Sequence, residues 1–163
     1  MTSHDSSRSP AARAPALRGA PREADLQRGP LHGRLVLLVE PDQAAATTLA
    51  AALAAEGAEV ALAGNAEDAL AHLDDMGHGA RLPEAVVTNL VLPRMNGLLL
   101  VARLRACLPA HVPVVALTDL ADPAVVALAT EGGCDAALPT SEDPHGLITV
   151  LAGQLGARRA PVR

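Results

Sequence analysis

The sequence predicts an α/β protein built on a doubly wound, five-stranded parallel sheet with five helices. Three observations carry that prediction. Short apolar runs alternate with helix-patterned stretches, the runs are continuously apolar instead of alternating in polarity, and turn residues separate them at short intervals. A strand covered on both faces reads as a continuous apolar run, and parallel neighbours need a right-handed helical crossover between them, which places helices on both faces.

Residues 1–33 are rich in Ser, Arg, Ala, Pro and Gly and show neither a helical nor a strand period, so a disordered N-terminal tail is expected. An organellar transit peptide fits poorly, because Pro10, Pro15, Pro21 and Pro30 break the amphipathic helix such a signal needs. Either the tail is plain or the residues precede the true start. The patterned domain is expected over residues 34–155, leaving 156–163 as a short basic C-terminal tail.

Leu35-Val36-Leu37-Leu38-Val39 is the first strand, followed by a helix from Asp42 to Glu56 that Gly57 closes. Asp42 suits the N-cap, helped by Pro41 before it. Glu59–Ala63 is the second strand, and Asn65 can cap a helix with Ala66, Leu70 and Leu73 on one face. Ala85–Thr88 then precedes a helix near Leu98–Leu108, Val112–Leu117 precedes one over Pro123–Glu131, and Asp135–Leu138 precedes one over Pro144–Leu155. In such a fold ligands sit at the carboxyl ends of the strands where the strand order reverses. The loops to search are Glu40–Asp42, Asn89–Gly97, Thr118–Asp119 and Pro139–Ser141.

Composition narrows the function. The chain is 50% hydrophobic and 19% charged with no Phe, Trp or Tyr, so its core is aliphatic and no side chain can stack a nucleobase or flavin. There is no Lys; all 13 basic residues are Arg, which excludes lysine-amine chemistry. Net charge is +3 over residues 1–34, −11 over 35–157 and +3 over 158–163, so the domain proper suits a nucleic-acid backbone poorly. Cys107 and Cys134 read as reduced, buried thiols of a cytoplasmic protein, and no apolar run is long enough to span a membrane. The six His show no metal-ligand spacing; His72, within a helix, has nothing around it to support phosphoryl acceptance. Thr118-Asp119 lacks the partner a nucleophile would need, and no glycine-rich phosphate cradle follows the first strand.

Three segments resemble two-component response-regulator receiver domains: Leu37-Leu38-Val39-Glu40-Pro41-Asp42, Asn89-Leu90-Val91-Leu92-Pro93-Arg94-Met95-Asn96-Gly97, and Pro113-Val114-Val115-Ala116-Leu117-Thr118. Gly64-Asn65-Ala66-Glu67-Asp68-Ala69-Leu70 and Gly133-Cys134-Asp135 add support, and the match spans roughly residues 34–155. The resemblance implies a flavodoxin-like receiver topology. It also implies a phosphoacceptor aspartate ending strand three, Mg²⁺ held by an acidic pair after strand one, a hydroxyl after strand four, and a lysine after strand five. Each is there for the charge that builds on a phosphoryl group in transfer.

Carried over by position, the phosphoacceptor falls on Asn89, whose amide is a far weaker nucleophile than a carboxylate. The acidic pair falls on Glu40 and Pro41, with Asp42 next to them. The lysine falls on Thr140, with Ser141 where the family usually has proline, and the aromatic switch position falls on Ala137. Only the hydroxyl survives, as Thr118. Mg²⁺ binding is therefore expected to be weak or absent, because a hard cation wants several oxygen ligands. The expectation is a degenerate pseudo-receiver, not an enzyme, that works in phosphorelay signalling as a phosphorylation-independent protein–protein interaction module. Its partner is a signalling protein, with a histidine kinase or phosphotransfer protein as candidates, and neither nucleic acid nor membrane is a partner. Two alternatives stand beside it: an adaptor or decoy that docks a kinase or phosphotransfer protein, and a small-molecule sensor or enzyme that uses the crevice near Asn89, Thr118 and Thr140.

Overall fold

The computed structural model describes residues 28–79, 81–119, 122–140 and 143–157. The chain runs β1 (Leu35–Val39), α1 (Gln43–Ala55), β2 (Glu59–Ala63), α2 (Ala66–Gly77), β3 (Ala85–Asn89), α3 (Gly97–Cys107), β4 (Val114–Thr118), α4 (Pro123–Glu131), β5 (Ala136–Pro139) and α5 (Pro144–Ala157). The five strands form one parallel sheet in the order β2-β1-β3-β4-β5, so the α/β doubly wound reading holds. The order reverses between β1 and β3, which is where a crevice opens in such sheets.

Alternation along the central strands divides the core in two. Leu37, Val39, Val86, Val114 and Ala116 face α2, α3 and Ala129 of α4. Val36, Leu38, Val87, Val115 and Leu117 face Leu49 and Leu53 of α1 and Leu147, Ile148 and Leu151 of α5. β3 and β4 are buried at every position, whereas edge strand β2 keeps Glu59 and Leu62 exposed.

The helices begin where short polar side chains can take an unpaired amide. Asp42 accepts from Ala45 N at 2.7 Å, Asn65 from Asp68 N at 2.8 Å, Asn96 from Leu98 N at 2.8 Å and Asp122 from Ala124 N at 2.8 Å. Asp42 and Asn65 are the caps the sequence predicts. Gly57 ends the first helix with φ +88°, and a Cβ there would stand 2.7 Å from the Arg28 carbonyl oxygen.

That contact corrects the expected boundary at residue 34. Residues 28–33 are part of the folded unit: Leu31 is fully buried in the α1/α5 core, its N–H donates to Glu56 O at 3.1 Å, and Gly33 N donates to Gly57 O at 3.0 Å. A lone leucine among Pro and Gly has no period, which is why its burial is invisible to pattern reading. Residues 1–27 of the expected tail, Ser141, and residues 158–163 lie outside the described residues, while α5 takes in Gly156 and Ala157 of the expected C-terminal tail.

Two polar clusters lock the end of the sheet where the strands begin. Glu84 pairs with both Arg34 and Arg81, and Arg81 also donates to Gly33 O. Arg105 of α3 donates to Gly133 O at 2.8 Å, Val112 O at 2.6 Å and Asp135 Oδ2 at 2.5 Å, and Val114 N also donates to Asp135 Oδ2, at 2.8 Å. A planar guanidinium thereby joins α3, the start of β4 and the approach to β5.

Candidate functional site

The carboxyl ends of β1, β3, β4 and β5 bring together Glu40, Asn89, Thr118 and Thr140. Glu40 continues the β1 ladder by donating its N–H to Ala63 O at 3.0 Å, which turns the side chain into the space beside β3. It is 3% exposed, an unusual place for a carboxylate, and both its oxygens are engaged. Oε1 accepts the Asp42 N–H at 3.0 Å and Oε2 accepts Asn89 Nδ2 at 3.1 Å.

Asn89, 6% exposed, ends β3 and is equally committed. Its Oδ1 accepts Val91 N at 2.9 Å, which folds the chain leaving the strand, while Nδ2 serves Glu40. The next residue is held as well: Leu90 N donates to Leu117 O at 2.9 Å and Gly97 N donates to Leu90 O at 3.1 Å. Only glycine fits at 97, because a Cβ would come within 2.5 Å of Leu90 Cα. The bond to the Val91 amide is local to the turn leaving β3, whereas the second bond, to Glu40 across forty-nine residues, is not legible from spacing.

Thr118, 2% exposed, ends β4, and its carbonyl accepts Thr140 N at 3.0 Å, which draws the β5 end toward it. The Thr140 hydroxyl is buried, and its Oγ1 has no hydrogen-bond partner among the described residues. Pro41 is exposed and its ring offers no ligand atom, and Asp42 is exposed as the α1 cap, its Oδ1 turned to Ala45 N. Ala137 lies half-buried in β5 against the α2/α3 core cluster.

The cluster's chemistry is that of a closed hydrogen-bond circuit. The neutral amide supplies a donor to a buried acid; the amide oxygen and both carboxylate oxygens are already accepting. A divalent cation such as Mg²⁺ would need several oxygens, with carboxylates among them. Among the described residues Glu40 is the single buried carboxylate, and no group of three or more His, Cys, Asp or Glu is arranged to hold a metal. No cation from Lys is possible, and among the described residues no Arg side chain bonds Glu40 or Asn89.

Other residues singled out by sequence fall elsewhere. Cys134 is buried as expected, and burial pushes its thiol pKa up to about 11. Cys107 is exposed at the end of α3, contrary to the expectation of burial, because α3 turns that position away from the core while Leu104 and Leu108 fill it. His72 is half-buried, with Nε2 donating to Leu62 O at 3.1 Å. No helix among the described residues is long and apolar enough to cross a membrane.

Comparison with known proteins places this geometry in context. A family model described as the response regulator receiver domain matches residues 36–152. The DNA-binding response regulators MtrA of Mycobacterium tuberculosis (strain H37Rv) and of Mycobacterium leprae are each 31% identical over 120 residues, covering 74% of this chain and 50% of theirs. The chain thus spans about half the length of the curated relatives it matches. Among solved structures, a putative response regulator from Chloroflexus aurantiacus aligns with a TM-score of 0.68 at 26% identity, over 76% of this chain and 98% of that one. The BeF3-activated N-terminal receiver domain of Klebsiella pneumoniae RstA aligns with a TM-score of 0.67 over 75% and 98%; at 24% identity that likeness speaks for the fold alone.

Proposed function

The chain belongs to the response regulator receiver domain family, and on that premise we propose that it is a pseudo-receiver, a two-component signalling module that acts by protein contact without taking up a phosphoryl group. The observation that carries this reading is the Asn89 amide hydrogen-bonded to Glu40, at the position where the resemblance puts the phosphoacceptor. An amide has no anionic oxygen to attack phosphorus, and both atoms that could face an incoming group are already bonded. Pro41 for the second acid and Thr140 for the lysine remove the remaining charge that phosphoryl transfer depends on. Mg²⁺ binds weakly or not at all under this reading, and the chain is not an enzyme.

The partner is a signalling protein, engaged in the cytoplasm. A net charge of −11 over residues 35–157 argues against DNA as the direct partner of this domain, even though the MtrA relatives are named as DNA-binding. A second reading, an adaptor that docks a histidine kinase or phosphotransfer protein without accepting its phosphoryl group, draws support from the exposed Val91 and Leu99 beside the Asn89 loop, 62% and 50% exposed.

The test is incubation with radiolabelled acetyl phosphate, or a labelled kinase, and Mg²⁺. No acid-stable, base-labile label is expected, and stoichiometric labelling would overturn the proposal. Retention of the chain on an immobilised histidine kinase in the same experiment separates the adaptor from a module serving other partners.

A further inference from the structure

We propose that the cleft between the C-terminal ends of α2 and α3 binds a small amphipathic anion, an aliphatic or aromatic carboxylate whose acid group pairs with Arg103 and whose apolar body lies on the leucines beneath. The cleft has a volume of about 570 Å³, within the range of small-molecule sites. Leu70 and Leu73 of α2, Leu82 of the following loop and Leu108 past α3 form its apolar lining. Leu82 remains 37% exposed there.

The polar groups on its walls decide the charge of the occupant. On the α2 side Asp74 is exposed at the rim, its Oδ1 4.0 Å from His78 Nδ1, which donates to the Asp74 backbone carbonyl at 2.7 Å. On the α3 side Arg103 makes no ion pair or hydrogen bond among the described residues, unlike Arg34, Arg81, Arg94 and Arg105, each of which meets a carboxylate. An unpaired guanidinium over an apolar lining, in a domain otherwise strongly acidic, presents a forked donor that a carboxylate matches in both charge and shape. His78 stands at the α2 C-cap and Arg105 in the last turn of α3, where Arg105 is held by Asp135, which leaves Arg103 as the cation on the cleft wall.

Helix C-termini in this fold lie where the next strands begin, so the cleft is at the end of the sheet away from Asn89. The inference goes beyond the signalling role proposed above and stands or falls separately from it: ligand at this cleft neither requires nor prevents phosphoryl transfer at the other end.

Cys107 lines the same cleft and is exposed, which makes it a local reporter. Uncharged N-ethylmaleimide should alkylate Cys107 and spare Cys134, which is buried and whose thiol pKa burial pushes up to about 11. Decanoate below its micelle concentration is expected to slow alkylation of Cys107 saturably, as read by peptide mass, while acetate and decyltrimethylammonium leave the rate unchanged. Arg103→Gln, at an exposed position that does not threaten folding, should raise the decanoate concentration for half-protection about tenfold, the worth of one charge-assisted hydrogen bond. Absence of protection overturns the proposal. So does protection that decyltrimethylammonium gives equally, or that Arg103→Gln leaves undiminished.

Discussion

Asn89→Asp is the substitution that most directly tests how the site is held together. It would exchange the Nδ2 donor, 3.1 Å from Glu40 Oε2, for a second carboxylate with no cation beside it. With both acids ionised at that separation and an effective dielectric of about 20, repulsion alone is about 5 kcal/mol. The pair relieves part of this by holding a proton, at about 1.4 kcal/mol for each pH unit above an ordinary carboxyl pKa, and part by local relaxation. A net loss of about 3 kcal/mol near neutral pH is expected, a large fraction of the stability of a domain this size. A carboxyl whose folded pKa is raised weakens the fold once pH exceeds its unfolded value, so the deficit should shrink as pH falls toward that value. Urea denaturation at neutral pH and again near pH 5 reads both effects. Added Mg²⁺ discriminates further: restoring about 2.7 kcal/mol would require a concentration about 100 times Kd, and recovery of less than about 1 kcal/mol is expected. A variant as stable as the native chain at neutral pH, or one that Mg²⁺ fully rescues, would falsify the account of a closed, metal-free circuit.

Three further outcomes follow from the fold. Leu31→Ala should cost about 2–4 kcal/mol in urea denaturation, because a fully buried side chain leaves a cavity under α1; a loss near zero would return residues 28–33 to the tail. Arg105→Lys should destabilise by about 2 kcal/mol or more, since a single ammonium cannot reach Gly133 O, Val112 O and Asp135 together. A Tm equal to that of the native chain would refute the guanidinium's bridging role. For Glu84, burial alone raises the carboxyl pKa, but hydrogen bonds from Arg34 and Arg81 outweigh it and hold the group below its usual value of 4.5. Its contribution is therefore present above that value and lost as pH falls through the lower folded pKa. The stability gap between native and Glu84→Gln should close over that acid window, and a gap that widens there would reverse the sign of the linkage.

How much of this was legible in the chain differs by element. β1, β2 and α4 fall at their predicted residues because a continuous apolar run, or a Pro at the first helical position with Gly past the end, marks both limits locally. β4 and β5 begin one or two residues later than predicted, at Val114 and Ala136. There Val112 O is taken by Arg105 and Pro113 has no N–H to give, while Asp135 commits its carboxylate to Arg105 and Val114 N at the entrance to the ladder. Position-by-position resemblance located Glu40, Asn89, Thr118 and Thr140, and the fold does gather them at one end of the sheet. What it could not state is which atom bonds which.

The amino-acid order by itself determined the alternation of elements, the caps at Asp42 and Asn65, and the chemical poverty of the site, because residue type and near-neighbour spacing suffice for each. Only the tertiary structure decided that Glu40 and Asn89 complete one another, that Leu31 belongs to the core, and that Arg103 stands over a cleft with no ion pair among the described residues. Those three facts depend on which strands and helices become neighbours in space, and a side chain's partners across such a junction are set by packing distance, on which sequence separation places no constraint.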